Sequence, residues 1–481
     1  MIYRNLATAV AIGCAASAHG YAPTPMAAKP MAGVAMNGRA AVSQPCGSAR
    51  RCTEVQLNAP GGTETVDFTA GTIRPQRDVT DDQMRPRPNI DWTNLRAKLE
   101  LDFGISEEQL KKYDDVSGED LLKSYEMMQL CRQFENACNQ AYMQGHIRGF
   151  MHLDNGQETI PAMLADTLKK GDIKYSYYRE HTHAIASGVD SGAVMAELFA
   201  KDTGTCRGTG GSMHIYDKDT NFQGGWALVS EQLPYAAGAA RSILLDRHLD
   251  PEAFKDDDRV SVVLIGEGGA QNGRMAECLN AAAKEKLPLL FLVIDNGRAI
   301  NTFTPDVAQN MDIFTQGEHY GVPGIKVDGS NLVDTLKTGR AVMDYVRTQG
   351  PAMLQVHTYR FQGHSPADPE HERGRKAEKK WARENVDPIK IFETTEAAQG
   401  LDLDTATAAA KAEVRAHGDA QHAQCDWHTL AHIGTHWDTP RELPPRKGRR
   451  RERAPRSRPP RPRPCQPALC PRRSSRGLRR R

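Results

Sequence analysis

The sequence predicts an α/β fold, a mostly parallel sheet with helices on both faces. Three observations carry that prediction. Apolar runs at 260–265 and 287–294 have the length of strands. The stretch 275–284 between them reads as a helix, so the succession is the βαβ rhythm of parallel strands covered on both faces. The supply of core is ample, because 481 residues with 39% apolar and 25% charged composition describe one large globular domain or two modest ones. Such a chain needs no disulfide or metal staple, and it carries no internal repeat.

At the N-terminus, Arg4 precedes an apolar run at 6–18 that ends in small residues. The run is too short to span a bilayer comfortably and has the shape of a signal peptide over 1–20, cleaved before Tyr21. From Tyr21 to about Ala59 the chain carries Lys29, Arg39, Arg50 and Arg51 against one acid, Glu54. Acid-poor sequence of this kind is typical of transit peptides. A signal peptide followed by Tyr21-Ala22-Pro23-Thr24 resembles the two-part leaders of plastid proteins in algae with secondary plastids. Residues 21–88 are therefore expected to be a disordered leader and linker, closing on Arg85-Pro86-Arg87-Pro88. The plastid stroma is the expected location, with the mitochondrial matrix as the alternative. A secreted protein is a further reading, against which stands the lack of a disulfide framework.

The first clear element covers 119–144. Leu121, Tyr125, Met128, Cys131, Phe134, Cys138 and Tyr142 fall three or four apart, on one helix face, and Gly145 ends the helix. The ten cysteines form no CxxC pair or zinc-type cluster, and Cys131, Cys138, Cys206 and Cys278 read as buried thiols of a reducing compartment. The body of the domain is expected over 89–415. Beyond it, 416–481 loses apolar periodicity and fills with Arg and Pro, as a disordered tail does. From 446 to 481 sixteen basic residues face the single acid Glu452, a net +15 that leaves −13 on the remainder of a chain of formal charge +2. Such a tail reads either as an arm for an anionic partner or as the product of a wrong exon or frame. We favour the second, and expect neither nucleic acid nor membrane as a partner.

The chemistry concentrates at 260–300. The first strand runs into Gly266-Glu267-Gly268-Gly269, whose glycines let backbone approach a ligand closely. The second strand ends at Asp295-Asn296-Gly297. Ligands of open parallel sheets sit beyond the carboxyl ends of the strands, near a helix N-terminus. Glu267 and Asn296 meet that description, 29 residues apart. A carboxylate and an amide oxygen are hard donors that suit Mg2+, which keeps open positions for phosphate oxygens. The pattern is therefore that of a metal–diphosphate clamp. It is not a nucleotide loop, since neither GxGxxG nor GxxxxGK[ST] is present.

This segment looks like the thiamine-diphosphate motif, which opens Gly-Asp-Gly and closes on Asn. Its surroundings are RQFENACNQAYMQGHIRGFMHLDNGQET, YSYYREHTHAIASGVDSGAVMAELFAKDTGTCRGTGGSMH and TYRFQGHSPADP. From about residue 89 to 414 they resemble the family of pyruvate dehydrogenase E1 component alpha subunits, especially the plastid type. The resemblance implies a thiamine-diphosphate-binding fold, with Mg2+ held by Glu267, Asn296 and the carbonyl of Arg298. It implies that Tyr178 and Arg179 grip the diphosphate, that Gly268 and Gly269 give it backbone contacts, and that Ala227 and Val229 face the aminopyrimidine. His152 and His364 would lie near the reacting carbon, where imidazole titrates close to working pH. Ser365 matches a serine phosphorylated in mitochondrial relatives, a form of regulation not expected here. His181 and His183 read as helix packing rather than metal ligands.

The sequence departs from the family at three places. Glu267 stands where the family has Asp, which pushes the carboxylate out by roughly 1.5 Å, one bond length. Gln271-Asn272 replaces Asn-Asn or Asn-Gln. Ser230 replaces a glycine and narrows the pyrimidine wall.

In this superfamily the glutamate that activates the aminopyrimidine lies on a separate domain. About 325 residues hold one such domain with decoration, not two. The resemblance therefore implies a beta subunit, an α2β2 heterotetramer, and delivery of the acetyl group from pyruvate to a lipoyl-bearing E2 acyltransferase. The activity implied is that of pyruvate dehydrogenase (acetyl-transferring), feeding acetyl-CoA synthesis. The alternatives are a branched-chain 2-oxo acid dehydrogenase subunit, or a non-catalytic paralogue impaired by Glu267.

Overall fold

A computed structural model describes residues 54–59, 62–67, 87–300, 302–368 and 375–423. The signal segment, most of the leader and the Arg/Pro-rich tail lie outside the described residues.

Two units result. In the first, β1 (Glu54–Ala59) and β2 (Gly62–Asp67) form an antiparallel hairpin with Glu54 opposite Asp67 and Ala59 opposite Gly62. A stretch of 21–88 without regular structure was expected, and these twelve positions differ from it. The reason is local: β-branched Val55, Thr63, Thr65 and Val66 lie in polar-alternating runs either side of Pro60-Gly61, a hairpin signature.

The second unit is built on a six-stranded sheet. Its strands are β3 (Ile173–Tyr177), β4 (Phe222–Trp226), β5 (Ser261–Gly266), β6 (Leu289–Asp295), β9 (Gly324–Asp328) and β10 (Ala352–His357). The order is β4-β3-β5-β6-β10-β9 and every pairing is parallel. A two-residue ribbon, β7 (Arg298–Ala299) with β8 (Thr302–Phe303), follows β6.

Helices cover both faces because strand side chains alternate. Val262, Leu264, Leu290, Leu292 and Ile294 join one core with α1 (Trp92–Phe103), α2 (Gly118–Met143), α3 (Thr159–Thr167) and α8 (Leu332–Thr348). Val263, Ile265, Leu289, Phe291 and Val293 join the other, against α6 (Gln232–Leu249) and α7 (Gly273–Glu285). The predicted βαβ unit at 260–294 is thus present within a residue or two at each boundary.

Helix α2 starts on Ser117, whose hydroxyl accepts the Asp120 N–H, and ends before Gly145 at φ +79°. Its apolar stripe serves two cores. Leu121, Tyr125 and Met128 pack on the sheet, while Phe134 and Cys138 pack on a third cluster with α4 (His181–Ala186) and α5 (Ser191–Leu198). Cys131, Cys138 and Cys278 are buried as expected. Cys206 is not; it sits half-exposed in a loop, its thiol on the His214 carbonyl.

The C-terminal boundary also moves. Helix α9 (Leu403–Ala423) carries the domain past 415, because Ala406, Ala410, Val414 and Gln421 continue a buried stripe.

One buried ion pair ties the strand starts together. Asp172 accepts from Arg347 of α8 through both oxygens (2.9 and 2.7 Å) and from the backbone N–H groups of Val260 and Lys169. It is fully buried, so removing its cation strands a charge. Arg347→Ala is expected to destabilise the domain by about 3–5 kcal/mol. Asp172→Asn combined with Arg347→Met should recover much of that loss, and urea unfolding of the assembled protein measures both.

Candidate functional site

Parallel pairing of β5 and β6 sets Gly266 opposite Ile294, and the Glu267 N–H continues the ladder to the Ile294 carbonyl (3.1 Å). The next residue on each strand therefore emerges at the same edge of the sheet. A cleft of about 280 Å³ opens there. Tyr178, Arg179, Val229, Glu267, Gly268, Gly269, Asn296 and Arg298 all line it. Of the residues expected from sequence, Ala227 does not line the cleft, although Val229 two residues on does.

The glycines are there for want of space. A Cβ on Gly268 would lie 2.5 Å from the Ala299 side chain, and one on Gly269 would lie 2.8 Å from Ile265 and 3.3 Å from Val229. Ser230 is buried at φ +68°, a conformation in which glycine is unstrained, and its hydroxyl donates to the Gly269 carbonyl (2.8 Å). Serine at this position is thus seated by a hydrogen bond across the cleft wall.

Glu267 is buried, and Asn296 is oriented by its neighbours. The Asn296 amide donates to Gln157 (3.2 Å), and its carbonyl oxygen accepts the Arg298 N–H (3.3 Å). The Arg298 guanidinium is engaged by Glu378 (2.6 Å) and lies 3.5 Å from the Phe303 ring centre, so it anchors the β7–β8 ribbon. Among the described residues no three His, Cys, Asp or Glu side chains gather as a metal site. One carboxylate, one amide oxygen and a carbonyl suit a hard cation that takes its other oxygens from a phosphate ligand.

The opposite wall is cationic. Arg179 is almost fully buried, donating to the carbonyls of Leu153 and of His364 (3.1 Å for the latter). Arg360 is buried beside it, with its Nε lacking a partner; burial, then Arg179 and Arg375, depress its pKa to about 9. Two buried guanidiniums facing one cleft call for an anion. Arg360 lies within TYRFQGHSPADP but carries no expected role in the sequence analysis. The available signal was an arginine between two aromatics just beyond a strand end. Gln157 and its grip on Asn296 were likewise missed.

His152 and His364 stand together against Tyr178, which lines the cleft, although neither histidine lines it itself. Their ring centres are 4.9 Å apart, and each packs on Tyr178 (4.7 and 5.6 Å). Burial and then Arg179 lower the His152 pKa to about 2 and that of His364 to about 4. Imidazoles titrating near neutrality were expected; both are instead held neutral, because the site is buried and already positive. Ser365 is half-buried next to His364.

His181 and His183 do not converge on one point. His181 bonds Glu135 and Ser212, and His183 bonds Ser176 (2.9 Å).

In protein without added ligand, both site histidines should stay neutral from pH 8 to 5. The unfolded chain takes up protons that these sites refuse, so stability declines as pH falls from about 6.5 towards 4. Selectively labelled histidine NMR, assigned with His152→Gln and His364→Gln, reads the protonation state directly.

Residues 126–433 match the family described as "Dehydrogenase E1 component". The chain is 42% identical over 276 residues to the pyruvate dehydrogenase E1 component subunit alpha-3, chloroplastic, of Arabidopsis thaliana. That match covers 57% of this chain and 63% of the relative, less than two thirds of its length. It is 41% identical over 271 residues to the pyruvate dehydrogenase E1 component subunit alpha of Porphyra purpurea, covering 56% of this chain and 78% of the relative. With the subunit alpha of Rickettsia prowazekii it shares 33% over 272 residues, covering 56% and 80%.

Proposed function

The chain belongs to the dehydrogenase E1 component family, and on that premise we propose that it is the α subunit of a pyruvate dehydrogenase E1. Its reaction is the oxidative decarboxylation of pyruvate with transfer of the acetyl group to a lipoyl-bearing E2. The observation that carries this reading is the cleft at the β5 and β6 ends, where hard oxygen donors face two buried guanidiniums across a glycine floor.

Those residues fit thiamine diphosphate with Mg2+. Glu267, the Asn296 side chain and the Arg298 carbonyl would hold the metal. Tyr178, Arg179 and the Gly268–Gly269 backbone would hold the diphosphate, joined by Arg360, while Val229 would flank the pyrimidine. When bound, the cofactor supplies the nucleophilic carbon and the electron sink that decarboxylation requires. Arg179 and Arg360 neutralise the diphosphate. His152 and His364, neutral and packed on Tyr178, offer hydrogen bonds to the keto and carboxylate oxygens of pyruvate rather than a full positive charge. Anion binding next to Arg179 raises both imidazole pKa values, which brings them toward a range where they exchange protons.

The site needs a second chain. Val229 and Ile300 line the cleft yet are about half exposed, and Leu228 beside them is 66% exposed. An apolar rim open to solvent favours a β subunit that closes the cleft and brings the activating glutamate, in an α2β2 assembly. The chloroplastic names of relatives at 42% and 39% identity favour a plastid location. Glu267 supports a second reading, a subunit that assembles without binding metal well.

The test is reconstitution with a plastid-type β subunit. CO2 release from pyruvate is expected, dependent on thiamine diphosphate and Mg2+, with lower rates on branched-chain oxo acids. Arg179→Ala should weaken cofactor binding by ~2–3 kcal/mol, roughly 30- to 150-fold, with the assembly intact. Absence of cofactor binding in an intact assembly, restored by Glu267→Asp, would instead establish the non-catalytic paralogue.

A further inference from the structure

Behind the His152–Tyr178–His364 cluster lies a second buried array that the proposed reaction leaves unused. Glu135 comes from α2, His181 opens α4, and Ser212 follows the glycine-rich loop after α5. The Glu135 carboxylate lies 3.1 Å from His181 Nδ1, and Ser212 Oγ lies 2.7 Å from His181 Nε2. The order serine, histidine, acid is that of a nucleophile triad. Here that role has no access: Ser212 is 6% exposed, and none of the three lines the cleft.

The outputs of the array are backbone groups instead. Ser212 Oγ accepts the N–H of His152 (3.3 Å), and Glu135 Oε1 accepts the N–H of Asp154 (3.2 Å). Between them, the Leu153 carbonyl receives the Arg179 guanidinium. The segment that carries His152 is thus clipped on both sides, and the same segment seats Arg179.

We propose that Ser212, His181 and Glu135 are positioning residues that fix His152 for the reaction. The inference rests on His152 facing the substrate. Its physical basis is one chain of donors and acceptors. Glu135 takes the Nδ1–H of His181, which leaves Nε2 as an acceptor. Nε2 takes the Ser212 hydroxyl proton, which leaves the Ser212 oxygen to accept from His152. The opposite tautomer would set a bare Nδ1 against the Glu135 carboxylate and reverse the direction of the Ser212 hydrogen bond. Without the chain, the His152 and Asp154 N–H groups would be buried and unsatisfied.

Ser212 is itself held from upstream. The fully buried Glu197 carboxylate accepts four backbone N–H groups, from Cys206 and Gly208 through one oxygen (2.7 and 2.8 Å) and from Gly210 and Gly211 through the other (2.7 and 3.0 Å). The loop wrapped round Glu197 delivers Ser212 directly after Gly211.

The test is a double-mutant cycle in the α–β assembly with thiamine diphosphate and Mg2+. Pyruvate kcat and KM and the cofactor Kd are measured for Ser212→Ala, His152→Ala and the pair. Ser212→Ala should lower kcat about tenfold and leave the cofactor Kd within about threefold. In the His152→Ala background it should change kcat less than about twofold, because the group it positions is gone. His181→Gln, whose amide oxygen can still accept the Ser212 proton, should keep most of the activity that His181→Ala loses. If Ser212→Ala does not assemble, the His181 pair in the two backgrounds gives the same reading. Equal losses in both backgrounds, or no loss in either, overturn the proposal. If His152→Ala alone leaves kcat unchanged, the assignment of His152 falls, and this inference with it.

Discussion

The register between β5 and β6 is the constraint from which the site follows. Six parallel pairs, Ser261 with Leu289 through Gly266 with Ile294, fix where each strand ends. A one-residue slip would turn Glu267 or Asn296 to the wrong face and exchange the two core faces of a strand. Both strands are buried on both sides, so the register is set by packing of Phe291 and Val293 on one face and Leu290 and Leu292 on the other. The hydrophobic core thus does the positioning, and the polar groups at the strand ends inherit it.

Around that frame the interior holds many polar groups, and a number of them are joined. Asn296 bonds Gln157, Gln157 bonds Asp154, and Asp154 receives Thr182 (2.7 Å) and gives its own N–H to Glu135. From Glu135 the chain continues through His181 and Ser212 to His152. One buried network therefore spans from Asn296 at the end of β6 to His152. Satisfied networks of this kind hold a single arrangement, because any member that turns away leaves its neighbours unpaired in a medium without water. Within this network, burial raises the Asp154 pKa to about 8.

Much of this was legible in the sequence, for identifiable reasons. The apolar runs at 260–265 and 287–294 and the stripe from Leu121 to Cys138 are periodic signals that burial enforces. Glu267 and Asn296 were legible because strand ends in parallel sheets are where ligands bind. Three things were not legible. The neutral state of His152 and His364 depends first on burial and then on Arg179 and Arg360, which packing gathers around the two rings. The role of Arg360 depends on β10 lying next to β6, a topological fact with no local signature. The division of α2 between two cores depends on what packs against each half. Cys206 and the boundary at 415 show the same limit, since exposure and helix ends are settled by tertiary contacts.

The central claim, that the ends of β5 and β6 form a metal–diphosphate clamp, is tested most directly with Mn2+ in place of Mg2+. Free Mn2+ is counted by EPR as the α–β assembly is titrated, with and without thiamine diphosphate. One tight Mn2+ per α chain is expected, appearing only with the diphosphate and lost in Glu267→Ala and Asn296→Ala. Tight Mn2+ binding that persists in both variants, or that ignores the diphosphate, would contradict it.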